Sequence, residues 1–106
     1  MATNIILGRD MDQAKSSVSP EAYVIDGSQY ENLYGVLNGE TKICKVVEGA
    51  SAKINFMTYH LEDDMKSASM VLKSISADGQ RTRFNTVLFA RQPGGAWKIT
   101  SWHVSG

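Results

Sequence analysis

The sequence has few of the residues that build metal and disulfide sites: its 106 residues include one cysteine and two histidines. A single cysteine excludes an internal disulfide and suits a reducing compartment, so we expect a cytoplasmic protein. An ordinary zinc site of nitrogen and sulfur ligands needs more such side chains than the chain contains. The sequence therefore predicts neither a metal nor any other cofactor.

An excess of one charge and long hydrophobic runs are also missing. Eleven acidic and eleven basic residues give a formal net charge of zero, which does not favour the basic surface of a nucleic-acid-binding protein. The uncharged apolar runs are too short for a membrane-spanning helix, and no signal-peptide stretch follows the start. We expect one globular domain over residues 1–106, with neither nucleic acid nor a membrane as its partner.

Two segments in the first half of the chain have the spacing of amphipathic helices. The first follows Asp10, with Gln13 three residues later in the spacing of a capping box. The second is expected after Asn38, where apolar residues recur on one helical face: Ile43, Val46, Val47 and Ala50.

The remaining segments are rich in β-branched, aromatic and other apolar residues and are separated by turns, which is the pattern of strands. Two short strands are predicted at 22–26 and 29–35, and four longer ones at 53–62, 66–77, 81–92 and 96–105. Asp78-Gly79 favours a type I′ hairpin turn. Helices followed by a four-stranded antiparallel meander predict an α+β fold.

Two blocks of residues resemble the nuclear transport factor 2-like superfamily. The first combines residues 8–12 (Gly-Arg-Asp-Met-Asp), 23–26 (Tyr-Val-Ile-Asp) and Gly35, and is similar to ketosteroid isomerases and polyketide cyclases. The second combines residues 77–80 (Ala-Asp-Gly-Gln) with 97–106, and resembles the end of the association domain of calcium/calmodulin-dependent protein kinase II. The resemblance implies a cystatin-like cone, in which a strongly bent antiparallel sheet wraps around N-terminal helices.

The chain departs from the isomerases at two places that matter for catalysis. At most seven residues precede Gly8, so the first helix, which closes the cone in the family, is expected to be short. The isomerase tyrosine that stabilises the enolate comes from that helix, and the second acid comes from the strand that is 81–92 here, which carries no acid. Strict steroid isomerisation is therefore not expected.

Asp26 is the first candidate catalytic residue, because it resembles the general base of the isomerases. Strand alternation places it on the same face as Val24 and Ala22. In an apolar cavity, desolvation would raise the pKa of the carboxylate and suit it to proton transfer. The alternative is a turn aspartate before Gly27 that bonds its own backbone.

His103 is the second candidate, and its face of the sheet is the predicted pocket. If Arg91 pairs with Ala96 in the last hairpin, His103 opposes Phe84 and could orient a ligand or shuttle a proton. A bulge would exchange the two faces, and a half-buried histidine near the chain end is the alternative. Besides the two candidates, the predicted pocket residues are Val24, Tyr34, Thr86, Leu88, Trp97, Ile99 and Ser101.

The last strands are apolar on both faces, which predicts a second copy as partner. Five side chains need cover beyond the helices: Met70, Leu72, Val87, Phe89 and Trp102. An antiparallel sheet usually has one solvent-exposed face, whereas this one is apolar on both. We therefore expect a two-fold homodimer through the outer face of the C-terminal sheet, as is common in the resembled family.

Three functions fit this sequence. The first is binding of a small, mostly apolar molecule in the cone, with isomerase, cyclase or lyase chemistry at Asp26. The second is binding in the same pocket without catalysis, and the third is a non-catalytic association module. The sequence favours a small dimeric pocket protein and leaves open whether it is an enzyme.

Overall fold

A computed structural model describes residues 2–41 and 43–106. It contains three short helices and six strands, in the chain order α1, α2, β1, β2, α3 and β3 to β6. The helices are α1 (Ala2–Leu7), α2 (Met11–Ser16) and α3 (Leu33–Leu37). The strands are β1 (Val18–Asp26), β2 (Gln29–Asn32), β3 (Lys53–Leu61), β4 (Ser67–Ile75), β5 (Thr82–Arg91) and β6 (Trp97–Ser105).

The six strands form one sheet in the order β2-β1-β6-β5-β4-β3. Only the β1–β6 pair is parallel among the described strands, and the last four strands form the predicted meander. The predicted α+β fold is confirmed. Strand β2 is shorter than expected, because the Asn32 side chain accepts a hydrogen bond from the Gly35 N–H and so caps α3.

The core lies between the inner face of the sheet and the helices. Ile5 and Ile6 of α1 and Leu33 of α3 are fully buried there. From the sheet they meet fully buried side chains of four strands, namely Val24, Leu72, Val87 and Trp102. The apolar residues for which the sequence predicted an outer partner thus lie largely in the chain's own core.

The helix predicted after Asn38 does not form in the described part of that segment. The Cys44 N–H donates to the Glu31 carboxylate at 3.0 Å, and the Lys45 N–H donates to the Asp26 carboxylate at 3.2 Å. These backbone donors therefore bond to side chains of β1 and β2 instead of to carbonyl groups one helical turn earlier. The apolar residues of the segment still reach the core, where Cys44 and Val46 are buried.

A bulge in β6 decides which residues share the inner face. Leu88 opposes Ser101, but the next residue, Phe89, opposes Ile99, so Thr100 is the extra residue. The predicted pairing of Phe84 with His103 is wrong, because Phe84 opposes Ser105.

The bulge has a consequence for the predicted pocket. Thr86, Leu88, Ser101 and His103 share one face as expected, and that face is the outer one. Ile99 lies across the bulge and reaches the inner face.

Two local details also differ from what the sequence predicts. Asp10 precedes α2 with a φ of 49° and makes no capping hydrogen bond through its side chain. In the β4–β5 turn, only Gly79 has a positive φ, whereas a type I′ turn needs two such residues. Asp78 instead accepts hydrogen bonds from the Ser76 hydroxyl and the Gln80 N–H. The Ser76 hydroxyl is the main reason that the pKa of Asp78 lies below its usual value.

Candidate functional site

An apolar pocket opens at one end of the inner face, between the start of α1 and the last four strands. Its volume is about 400 Å³, which lies in the range of small-molecule sites. We call this site the apolar pocket; its lining residues are Ala2, Thr3, Met57, Tyr59, Ala68, Met70, Phe89 and Trp97.

Helix α1 contributes to the apolar pocket but leaves its β3 side open. Gly8 ends the helix in a left-handed conformation, with a φ of 70° that a residue with a Cβ atom rarely adopts. A six-residue helix covers little of a six-stranded sheet. Accordingly, the pocket residues Met57 and Tyr59 of β3 remain 55% and 60% exposed.

The chemistry of the apolar pocket suits contact with an uncharged molecule. Among the described residues that line it, none carries a charge, and hydroxyl groups come from Thr3 and Tyr59 alone. Three aromatic rings and two methionine side chains provide most of the surface, and such groups adapt to flat or irregular apolar ligands.

Asp26 lies instead in a polar cluster at the end of β1. Both oxygens of its carboxylate accept hydrogen bonds from Nη2 of Arg83, at 3.2 and 3.0 Å. Nη1 of the same guanidinium donates to the Lys45 carbonyl at 2.8 Å and lies 3.5 Å from the Glu48 carboxylate. Asp26 is therefore held in an ion pair with Arg83 and does not lie in an apolar cavity.

This acid–arginine cluster (Asp26, Glu48, Arg81 and Arg83) is largely removed from water. The side chains of Asp26, Glu48 and Arg83 are 18%, 4% and 12% exposed. Arg81 is more exposed and reaches Glu48 at 3.4 Å. Charged groups buried away from water are stable only when they are paired and hydrogen-bonded. Arg83 is the residue that pairs with both Asp26 and Glu48.

The acid–arginine cluster and the apolar pocket lie at opposite ends of β6. Asp26 opposes Val104 near the end of that strand, whereas Trp97 begins it. Seven residues of extended chain separate the two positions, a distance of roughly 20 Å. A ligand in the pocket would therefore not contact the Asp26 carboxylate.

His103 lies on the outer face of the sheet and is exposed. Its ring packs edge-on against Tyr23 with 6.2 Å between ring centres, and Tyr23 stacks on Tyr30 at 5.4 Å. The sheet itself separates this aromatic group from the apolar pocket. Asp26 opposes Val104 on the inner face, so the structure does not bring His103 and Asp26 together.

The other predicted pocket residues are distributed over four places. Trp97 lines the apolar pocket. Val24 and Ile99 are fully buried in the core, and the Tyr34 hydroxyl lies 2.6 Å from the Val18 carbonyl oxygen, where it ties α3 to β1. The remaining three, Thr86, Leu88 and Ser101, lie on the outer face of the sheet, although Ser101 is buried there.

Sequence reasoning missed seven of the eight pocket residues, although β3 and β4 carried a signal. Apolar residues alternate at Met57, Tyr59 and Leu61, and again at Ala68 and Met70. That period of two marks the inner face of each strand. The contribution of α1 carried no such signal, because only contact with the sheet brings Ala2 and Thr3 to the pocket.

Cys44 is a buried thiol beside the Glu31 carboxylate. Loss of solvent raises its pKa to about 11, and the hydrogen bond and negative charge of Glu31 add to the shift. Glu31 itself has a lowered pKa, chiefly because the Thr41 hydroxyl donates to it. The neutral thiol is inert, because the thiolate is the reactive form.

We therefore expect Cys44 to resist thiol reagents in the folded protein. At pH 8 a thiol with a pKa of about 11 is roughly one-thousandth ionised, so its reaction with Ellman's reagent should be at least about a hundredfold slower than in guanidinium. Its contribution to stability is present below the pKa of the unfolded thiol and is lost as the pH rises towards 11. Equal rates in the folded and unfolded states would contradict this assignment.

Comparison with known proteins identifies the fold. No protein-family model and no curated protein matches the chain, but solved structures do. A protein from Shewanella frigidimarina, named as a candidate ketosteroid isomerase, superposes with a TM-score of 0.71 at 16% identity, over 97% of this chain and 86% of that one. A protein of unknown function in nutrient uptake from Rhodospirillum rubrum, named as NTF2-like, gives 0.68 at 16% identity, over 97% and 88%. A cystatin-like fold protein from Burkholderia xenovorans gives 0.68 at 16% identity, over 97% and 80%.

The chain has the nuclear transport factor 2-like fold. At these identities the likeness shows the fold and not an activity. Within this NTF2-like fold, the described residues contain no helix long and apolar enough to cross a membrane. They also contain no group of three or more metal-ligating side chains.

Proposed function

We propose that the protein binds a small, mostly apolar and uncharged molecule in the apolar pocket. One observation carries the proposal: a concave site of about 400 Å³ has aromatic and thioether walls and no charged side chain among the described residues that line it. Burying apolar ligand surface in such a site is favourable by about 25 cal/mol per Å² before the costs of association.

The proposal is binding without proton transfer at Asp26. Isomerase, cyclase or lyase chemistry at this residue needs a carboxylate that reaches the ligand with a lone pair free. Arg83 occupies both oxygens of Asp26, and the apolar pocket lies at the other end of β6. The contacts around Asp26 support a structural role for it.

A cavity-filling substitution tests the binding proposal. Ala68 lies on the wall of the pocket in β4, so Ala68→Leu would fill part of the space that a ligand needs. We expect this change to weaken the binding of the neutral fluorescent probe N-phenyl-1-naphthylamine by about tenfold or more. The measurement is a fluorescence titration in which Trp97, at the pocket wall, transfers energy to the probe.

Ala90→Leu is the matched control, because Ala90 lies on the outer face of the neighbouring strand β5. The same increase in side-chain size there should leave the probe affinity within about twofold of the wild type. Equal weakening by both substitutions, or no saturable binding to the wild type, would refute the proposal.

The alternative function is a homodimeric association module that uses the outer face of the sheet. Phe84 and Leu88 are exposed on that face, near the stacked pair of Tyr23 and Tyr30. These residues support a dimer through the outer face less strongly than the sequence predicted, because most of the apolar side chains it counted point inwards. Leu88→Glu should disrupt such a dimer and leave probe binding intact.

A further inference from the structure

Strand β3 is a long and unprotected edge of the sheet. It pairs with β4 on one side and has no strand on the other among the described residues. Proteins usually shorten such edges or interrupt them with proline, lysine or bulges. The opposite edge, β2, has only four residues, whereas β3 has nine and its one irregularity lies near the start, between Ile54 and Phe56.

The backbone of β3 leaves a regular row of hydrogen-bonding groups directed away from the sheet. The Glu62 N–H donates to the Ser67 carbonyl on the β4 side. Because these groups alternate along an antiparallel strand, the N–H and C=O groups of Met57, Tyr59 and Leu61 point outwards. Two of these residues carry the exposed apolar side chains of the pocket wall.

We propose that β3 pairs antiparallel with β3 of a second copy of this chain, with Thr58 at the two-fold axis. Two-fold symmetry keeps each side chain on its own face, so each residue near the axis opposes one of the same face. With Thr58 at the axis, Met57 of each copy opposes Tyr59 of the other. Four exposed apolar side chains are then packed in two cross-strand pairs.

Charge favours a second copy as the occupant of this edge. Lys53 begins β3, and an acidic turn follows its end at Glu62, Asp63 and Asp64. Antiparallel pairing of two identical edges places Lys53 of each copy beside the acidic turn of the other. The bulge between Ile54 and Phe56 separates Lys53 from the axis, so this charge pairing supports antiparallel association of two β3 edges, and the register follows from the Met57–Tyr59 pairs.

The pairing also completes the apolar pocket. Its open side is the β3 edge, where Met57 and Tyr59 lie largely in solvent. A second strand along this edge would add the same two side chains of the other copy beside each pocket. Each pocket would then be closed by residues of both copies.

An engineered disulfide tests both the interface and its register. Thr58 has its hydrogen-bonding groups directed to β4, so the two Thr58 residues would form a non-hydrogen-bonded pair with Cα atoms about 4.5 Å apart. That spacing allows a disulfide. Under mild oxidation, Thr58→Cys should run mainly as a covalent dimer on non-reducing electrophoresis, and the native Cys44 gives little background because it is buried.

His60→Cys is the matched control on the same exposed face of β3. In this register the two residues at position 60 lie four residues apart along the strands, roughly 13 Å, which is too far for a disulfide. Little covalent dimer is therefore expected. Equal cross-linking of both variants, cross-linking of His60→Cys alone, or none in either would overturn the proposal.

Sedimentation of the unmodified protein provides a second criterion that is independent of ligand binding. We expect a concentration-dependent dimer, and a monomer at all concentrations would overturn the proposal. Cross-linking of Thr58→Cys should survive Leu88→Glu, and its loss there would assign the dimer to the outer face instead. Neither result depends on the fluorescent probe, so failure here is distinct from failure of the proposed binding function.

Discussion

Replacing Arg83 with methionine is expected to lower the free energy of unfolding by about 3 kcal/mol. The guanidinium holds both oxygens of Asp26 and lies 3.5 Å from Glu48. Methionine keeps most of the aliphatic stem but removes the charge, which leaves two largely buried carboxylates without their shared cation. Glu48 keeps its contacts with Arg81 at 3.4 Å and Lys45 at 4.0 Å, but Asp26 loses its ion-pair partner. A largely buried charge without its partner is strongly destabilising.

The size of this effect follows from the burial of the cluster. Removing one partner of a fully buried ion pair costs about 3–5 kcal/mol, and the partial exposure of Asp26 places this case at the lower end. For a domain of this length, the melting midpoint should fall by roughly 15 °C. Circular dichroism during thermal and urea unfolding measures both quantities.

Arg81→Met is the matched control, because Arg81 contacts the same Glu48 from a more exposed position. An exposed ion pair contributes at most about 1 kcal/mol, so this variant should remain close to the wild type. Asp26→Asn should also destabilise, and its effect should not add to that of Arg83→Met, because the two residues contact each other. Additive effects, or a stabilising Asp26→Asn, would contradict the structural role of Asp26.

The strands were predictable because their signals are local. Each strand of the meander is rich in β-branched and aromatic residues, and turns separate the strands. Tertiary contacts do not change these local preferences. The observed strands β3 to β6 begin and end within two residues of their predicted positions. The same local signal predicted that Asp26 shares a face with Val24.

The segment after Asn38 was not predictable, because the deciding contacts are distant in sequence. Its apolar spacing has the helical period, yet the carboxylates of Glu31 and Asp26 take up the N–H groups of Cys44 and Lys45. The periodicity indicates which side chains are buried. Here these side chains reach the core although the segment that carries them is irregular. The periodicity cannot report that acids 13 and 19 residues away bond to the backbone.

The candidate site failed to emerge from the sequence for a similar reason. One extra residue, Thr100, decides whether Trp97 and Ile99 share a face with His103, and a bulge has no reliable sequence signal. The partner of Asp26 is Arg83, 57 residues later. A strand aspartate with an unknown partner is equally compatible with a catalytic base and with an ion pair.

The inner face of the sheet divides into a polar end and an apolar end, with Trp102 between them. Trp102 is fully buried, and its indole N–H donates to Asn85 Oδ1 at 2.9 Å. Asn85 in turn donates to the Ser74 hydroxyl at 3.1 Å. This buried chain of hydrogen bonds joins three strands between the acid–arginine cluster and the apolar pocket.

Trp102→Phe is therefore expected to cost about 3 kcal/mol of unfolding free energy. The substitution leaves a void in the core and deprives the buried Asn85 oxygen of its donor. Trp97→Phe is the matched change on the same strand, at the half-exposed wall of the apolar pocket. It should cost less than about 1 kcal/mol, because solvent and neighbouring side chains can fill the space.

The same pair of variants separates stability from binding. Trp97→Phe should weaken the binding of N-phenyl-1-naphthylamine, while Trp102→Phe should leave the affinity largely unchanged wherever the protein remains folded. Urea unfolding followed by circular dichroism gives the stabilities, and probe titration gives the affinities. If Trp102→Phe weakened binding more than Trp97→Phe, the ligand would lie deeper along the inner face, and the apolar pocket would be only its entrance.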